Sequence, residues 1–169
     1  AELARYTNSG SKIWGAALRG LPTDVQYGPD GRLLAFTFNG WFQVFDPDTG
    51  GLLHEQSLTP NRRYPETPEC LTTGKRTACG FSTAPAVDPR ASRVYASYTA
   101  VNGNGAVRSY AYDAQTHVIA LLWSSEMMAG SIGAPVLSAD YSRIYVQSQD
   151  GRLYAIDAST GGVIWSFDL

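Results

Sequence analysis

The chain has 169 residues, with 13 Lys+Arg against 15 Asp+Glu for a formal net charge of −2, and 44% of it is hydrophobic. That balance excludes the basic field a nucleic-acid partner needs, and the apolar content excludes a disordered chain. Area scaling gives a folded surface of roughly 8,000 Å² against roughly 26,000 Å² unfolded, enough burial for a core without metals or a disulfide lattice. No apolar run approaches the roughly 18 residues of a membrane helix. Ala1 opens without a charged-then-apolar leader, so a signal peptide is expected to be absent or already removed.

Seventeen Gly, nine Pro and twenty aromatics (Trp 4, Tyr 10, Phe 6) accompany short alternating segments, so an all-β chain is predicted. The best helical stripe, Val118–Met128, begins β-branched and does not persist. In chain order, residues 1–20 are predicted to give one outer strand, about Lys12–Leu18. Residues 21–57 give strands at Thr23–Gln26, Arg32–Phe38, Trp41–Asp46 and Leu52–Ser57. Residues 58–81 form an inserted loop. Residues 82–124 give Ala84–Val87, Arg93–Tyr98, Val107–Asp113 and Val118–Trp123, and residues 130–169 give Ala134–Ser138, Arg143–Ser148, Arg152–Asp157 and Val163–Phe167. Asp-Gly and Asn-Gly pairs between them supply the positive φ of tight turns.

Internal repeats decide the architecture. The last unit reads Ala155-Ile-Asp157-Ala-Ser-Thr160-Gly161, with Trp165 five residues after the Thr. Earlier copies read Val44-Phe-Asp46-Pro-Asp-Thr49-Gly50, with His54 at the Trp position, and Ala111-Tyr-Asp113-Ala-Gln-Thr116-His117, with Trp123 two residues late. A weaker copy runs from Ala4 through Ser9 and Gly10 to Trp14, and places Tyr6 at the Asp position. An Arg opens the second strand of each full unit, 14 residues before the Asp in two units (Arg32, Arg143) and 20 before it in the other (Arg93). Four antiparallel strands per unit of about 42 residues make one propeller blade. The count gives three complete blades plus one extra outer strand. That is a partial propeller, about half of a larger ring, whose remaining blades come from the same precursor, another chain or another copy.

The Ala-x-Asp-x-x-Thr-Gly-x-x-x-Trp pattern resembles the tryptophan-docking repeat of PQQ-like (quinoprotein-type) β-propellers. The Asp carboxylate is placed to accept amide hydrogen bonds from the turn that follows it, and the Gly to supply positive φ. The resemblance implies that the Trp stacks on a neighbouring blade. Docking positions are therefore Asp157, Thr160, Gly161 and Trp165; Asp46, Thr49 and Gly50; Asp113 and Thr116; Gly10 and Trp14. Docking is expected to be weaker where His54 and His117 replace Trp and Gly, and Trp165→Ala is expected to cost roughly 3–5 kcal/mol.

Candidate chemistry is sparse. Both histidines fall on repeat positions, and no third group completes a Ser-His-Asp arrangement. Asp46-Pro-Asp48 begins like a calcium loop but lacks the later ligands. No catalytic residue and no metal site is assigned. Cys70 and Cys79 lie nine apart in the 58–81 insertion and are expected to close a disulfide-clipped loop, which implies an extracellular or periplasmic location. The resulting expectation is a non-catalytic binding or assembly scaffold without cofactor. The alternatives are part of a PQQ-dependent alcohol or sugar dehydrogenase, which alone would require PQQ and calcium, and an extracellular glycan- or ligand-binding propeller.

Overall fold

The computed structural model describes residues 1–20, 22–37, 40–58, 80–81, 83–99, 104–127, 129 and 133–169. Cys70, Cys79 and most of the 58–81 insertion lie outside these residues. Every described element is a β-strand. Strands β1 (Glu2–Tyr6) and β2 (Lys12–Ala17) form a hairpin. Strands β3 (Pro22–Tyr27), β4 (Leu33–Thr37), β5 (Trp41–Phe45) and β6 (Leu52–Ser57) form blade I. Blade II contains β7 (Gly80–Phe81), β8 (Ala86–Asp88), β9 (Arg93–Thr99), β10 (Gly105–Tyr112) and β11 (Ile119–Met127). Blade III contains β12 (Val136–Leu137), β13 (Arg143–Gln147), β14 (Arg152–Asp157) and β15 (Val163–Asp168). All pairings are antiparallel between sequence neighbours, except that β7 and β8 share one edge of β9.

Several details differ from the sequence expectation. The N-terminal outer strand β2 is accompanied by β1, so the fragment of a preceding blade is a hairpin. The inner strand of blade III is shortened to Val136–Leu137. Pro135 precedes it and has no N–H to give a ladder. The helical candidate around Val118 is the nine-residue strand β11.

The period of two in the central strands sends side chains to two different cores. In blade I, Leu34 and Phe36 face Val94, Ala96, Tyr98, Tyr110 and Tyr112 of blade II. Ala35 faces the other way, toward Ala16 of the hairpin and Leu18 just after it. In blade II, Val94 and Ala96 face blade I, while Tyr95 packs with Ile144, Val146 and Ile156 of blade III. Burial on both faces explains why β4 and β5 are nearly continuous apolar runs. The inner strands β3, β8 and β12 stand side by side, and the groove along them marks the axis of the arc.

Candidate functional site: the blade seams

Each repeat turn is built by one carboxylate. Asp157 Oδ1 accepts from Ser159 N at 2.9 Å, Thr160 N at 2.8 Å and both hydroxyls at 2.6 and 3.0 Å. Asp46 Oδ1 accepts from Asp48 N and Thr49 N, each at 3.0 Å, and from Thr49 Oγ1 at 3.1 Å. Asp113 Oδ1 accepts from Gln115 N at 2.8 Å and Thr116 N at 3.2 Å. Bonds to the ionised form favour it. Ser159, then Thr160, hold the Asp157 carboxyl down to about 2. The Thr49 amide leads in lowering Asp46, and the Gln115 amide leads for Asp113. Thr49 and Thr160 each pass the chain on, their hydroxyls accepting the amides of Gly51 and Gly162 at 3.2 Å.

In the N-terminal copy the carboxylate role falls to Thr7, not to the residue at position Tyr6. The Thr7 hydroxyl accepts Ser11 N at 3.0 Å, and Gly10 N reaches Thr7 O at 2.9 Å. Gly50 N and Gly161 N instead reach the carbonyls of Asp46 and Asp157, four residues back. The first turn is therefore one residue shorter, which moves the cap along by one.

The seams between blades are knobs in sockets. The Trp14 indole lies over the turn of blade I, where a Cβ built on Gly50 would stand 2.6 Å from it. The Trp123 indole lies over the turn of blade III, where a Cβ on Gly161 would also stand 2.6 Å away. Both glycines have positive φ, 72° and 78°. The conformation and the close approach both demand glycine here. The lateness of Trp123 is absorbed, because two residues along a strand return to the same face. Its contact matches that of Trp14.

The carbonyls following Asp46 and Asp157 are acceptors for the previous blade. Pro47 O takes Trp14 Nε1 at 3.1 Å and Arg5 Nη1 at 2.9 Å. Ala158 O takes Arg93 Nη1 at 3.1 Å and Tyr95 Oη at 3.3 Å. With that acceptor occupied, Trp123 Nε1 is buried without a partner among the described residues.

The seam between blades I and II is made differently. Tyr112 donates its hydroxyl proton to Asp30 Oδ2 at 2.8 Å, and the Tyr112 hydroxyl oxygen itself lies 2.9 Å from His117 Nδ1. A phenol has one proton to give, so the proton in the second bond belongs to His117 Nδ1. Burial first, then the bond to Asp30, push the Tyr112 phenol above its ordinary range. Beside this network, the Gln56 amide bridges the Ile119 backbone, donating to its carbonyl at 3.0 Å and accepting its N–H at 3.2 Å. Asp30, Gln56 and Tyr112 were invisible as site residues in the sequence, since Asp30 and Tyr112 are 82 positions apart.

The ends of the arc leave one half of a seam each. Trp165 packs beside Tyr145 at a centroid distance of 6.0 Å, as Trp123 does beside Tyr95 at 5.9 Å. Among the described residues no turn glycine lies over Trp165, which is 39% exposed. Val136, Val163 and Phe167 of the same blade are exposed with it. At the other end, Gly10 has the socket conformation, with φ of 86° and no described atom within 4 Å of a Cβ position.

A groove of about 650 Å³ follows the axis between Tyr27, Pro85, Pro89, Pro135, Ser138 and Tyr141. Arg90 closes one rim, stacked 3.8 Å from the centroid of the Tyr141 ring and donating to Asp140 O at 2.5 Å. The described lining contains no charged side chain.

Comparison with known proteins agrees with this geometry. A family model described as outer membrane protein assembly factor BamB matches residues 104–169. The protein Rv3035 of Mycobacterium tuberculosis (strain ATCC 25618 / H37Rv) is 28% identical over 162 residues, covering 92% of this chain and 39% of that protein. The crystal structure of BamB from Moraxella catarrhalis aligns with a TM-score of 0.64 at 17% identity, over 99% of this chain and 42% of that one. The chain thus spans less than half the length of both relatives. Its fold is that of part of a β-propeller, and residues 104–169 are similar to the PQQ-type repeat model.

Proposed function

We propose that this arc belongs to a propeller that works as a non-catalytic binding and assembly scaffold in the cell envelope. The observation that carries the reading is the outward face of blade III. Its Trp165, Val163 and Phe167 occupy an outer strand, as Trp14 and Trp123 do in β2 and β11, and they stand exposed. An apolar face of this kind marks an interaction surface, and further blades fit it. Similarity of residues 104–169 to the model of an outer membrane protein assembly factor supports both the assembly role and an envelope location. We assign the scaffold no cofactor and no catalytic residue.

The test uses the complete propeller that contains this arc. Cells lacking it should hold less folded outer-membrane protein, and dye-linked oxidation of alcohols or sugars should stay at background with PQQ and calcium added. Clear turnover would replace the scaffold with a dehydrogenase. Unchanged outer-membrane protein would remove the assembly role.

A further inference from the structure

The chain has two histidines, and both stand where other repeats place a docking residue. His54 occupies a knob position. It pairs with Val44, two residues before Asp46. Trp165 likewise pairs with Ala155, two before Asp157, and Trp14 with Arg5, two before Thr7. His117 occupies a socket. Its N–H donates to Asp113 O at 2.7 Å, as Gly50 and Gly161 donate to the carbonyls of Asp46 and Asp157 at 2.9 Å. Its φ of 59° is the left-handed conformation that the two glycines adopt. Knob and socket are thus both replaced, and both belong to the single seam between blades I and II.

The replacements are sterically linked. At the two tryptophan seams, indole atoms lie 2.6–2.7 Å from where a Cβ would be. A Trp knob and a socket bearing any side chain exclude each other, since packed interiors do not yield that much. His117 carries a Cβ and an imidazole, and the ring is tied to Tyr112 by the 2.9 Å bond. His54 is half-buried at the strand register that Trp14 and Trp165 hold in their own blades, and its Nε2 is closed off from solvent. On a bare glycine socket, its ring, smaller than an indole, would leave a void.

We propose that His54 and His117 form a private knob-and-socket pair that fixes which blade follows which. The turn of blade II rejects a Trp knob, so neither Trp14, Trp123 nor Trp165 can dock there, and blade I alone fits. A ring of near-identical blades needs such a mark, because equivalent seams otherwise permit out-of-order docking and exchange between copies. The inference does not depend on what the propeller binds.

A double-mutant cycle on the 169-residue chain tests it, read by urea and thermal unfolding. His54→Trp alone should raise the unfolding equilibrium constant by about tenfold or more. In the His117→Gly background the same change should lower that constant, since a standard Trp-over-Gly seam is then restored. Reversal of sign is the expected result. Equal effects of His54→Trp in both backgrounds would overturn the proposal, as would a His54→Trp chain as stable as the parent. If His54→Trp alone does not fold, recovery in the double variant supports the pair. Failure of the double variant, where His117→Gly alone folds, overturns it.

Discussion

Strands β11 and β15 are the outer strands of successive blades and carry the same kind of docking residue. Met127, Ser125 and Ile119 of β11 are buried, whereas every residue of β15 is exposed. Both tryptophans sit beside a tyrosine of their own blade at nearly the same distance and tilt. What differs is the turn of a following blade, present over Trp123 and, among the described residues, absent over Trp165. The tryptophan is thus oriented by its own blade before any partner arrives. Its contribution to stability comes only with the partner, because apolar burial requires a second surface.

The comparison can be broken most forcefully at Trp123. Trp123→Ala should cost about 3–5 kcal/mol by denaturant unfolding, emptying the seam between blades II and III. Trp165→Ala should cost far less here, because the ring is 39% exposed in this chain. That outcome corrects the large cost expected from the motif alone, which applies once a next blade covers the ring. Equal losses at the two positions would sink the distinction.

Gly161→Ala acts from the other side of the same seam. The added methyl meets the Trp123 ring at 2.6 Å and sits on a backbone with φ of 78°. A loss of about 2–3 kcal/mol in a thermal melt is expected. Gly10→Ala has the strain without the clash, and should lose only about 1 kcal/mol. At the polar seam, Tyr112→Phe removes the hydroxyl between Asp30 and His117 and should cost about 1–2 kcal/mol. No change in urea midpoint would show that the network does not join the blades.

Acid gives the smallest expected effect. The Asp157 carboxyl is held down to about 2 in the folded turn against an ordinary value of 3.8. A lowered folded value means that the stability is fully present above the ordinary carboxylate range and is lost as pH falls toward 2. Asp157→Asn keeps an acceptor oxygen but cannot titrate. Its melting temperature should vary less with pH between about 4 and 2 than that of the parent. Parallel curves would contradict the turn's role in acid stability.

Much of this was legible because it is local. The Asp-x-x-Thr-Gly turns, the Arg-opened second strands and the Gly and Pro punctuation fix blade number and strand order within short stretches of chain. The N-terminal copy was misaligned by one residue for an equally local reason, since a threonine can cap a shorter turn with its hydroxyl. The seams were less legible. Trp123 docks although it is two residues late in the motif, since strand periodicity preserves its face. Arg32, Arg93 and Arg143 share a sequence position but not a role. Arg32 pairs with Asp46 in its own blade, while Arg93 reaches across to Ala158.

By itself, the amino-acid sequence determined that this chain folds into four-stranded blades joined by carboxylate-capped turns. Turn and strand preferences act over a few residues and need no partner. The tertiary structure alone decided which tryptophan is docked, which carbonyl is already taken, and that Asp30 meets Tyr112 and His117. Those outcomes depend on surfaces from different blades meeting at van der Waals distance, and no local pattern records what will lie opposite.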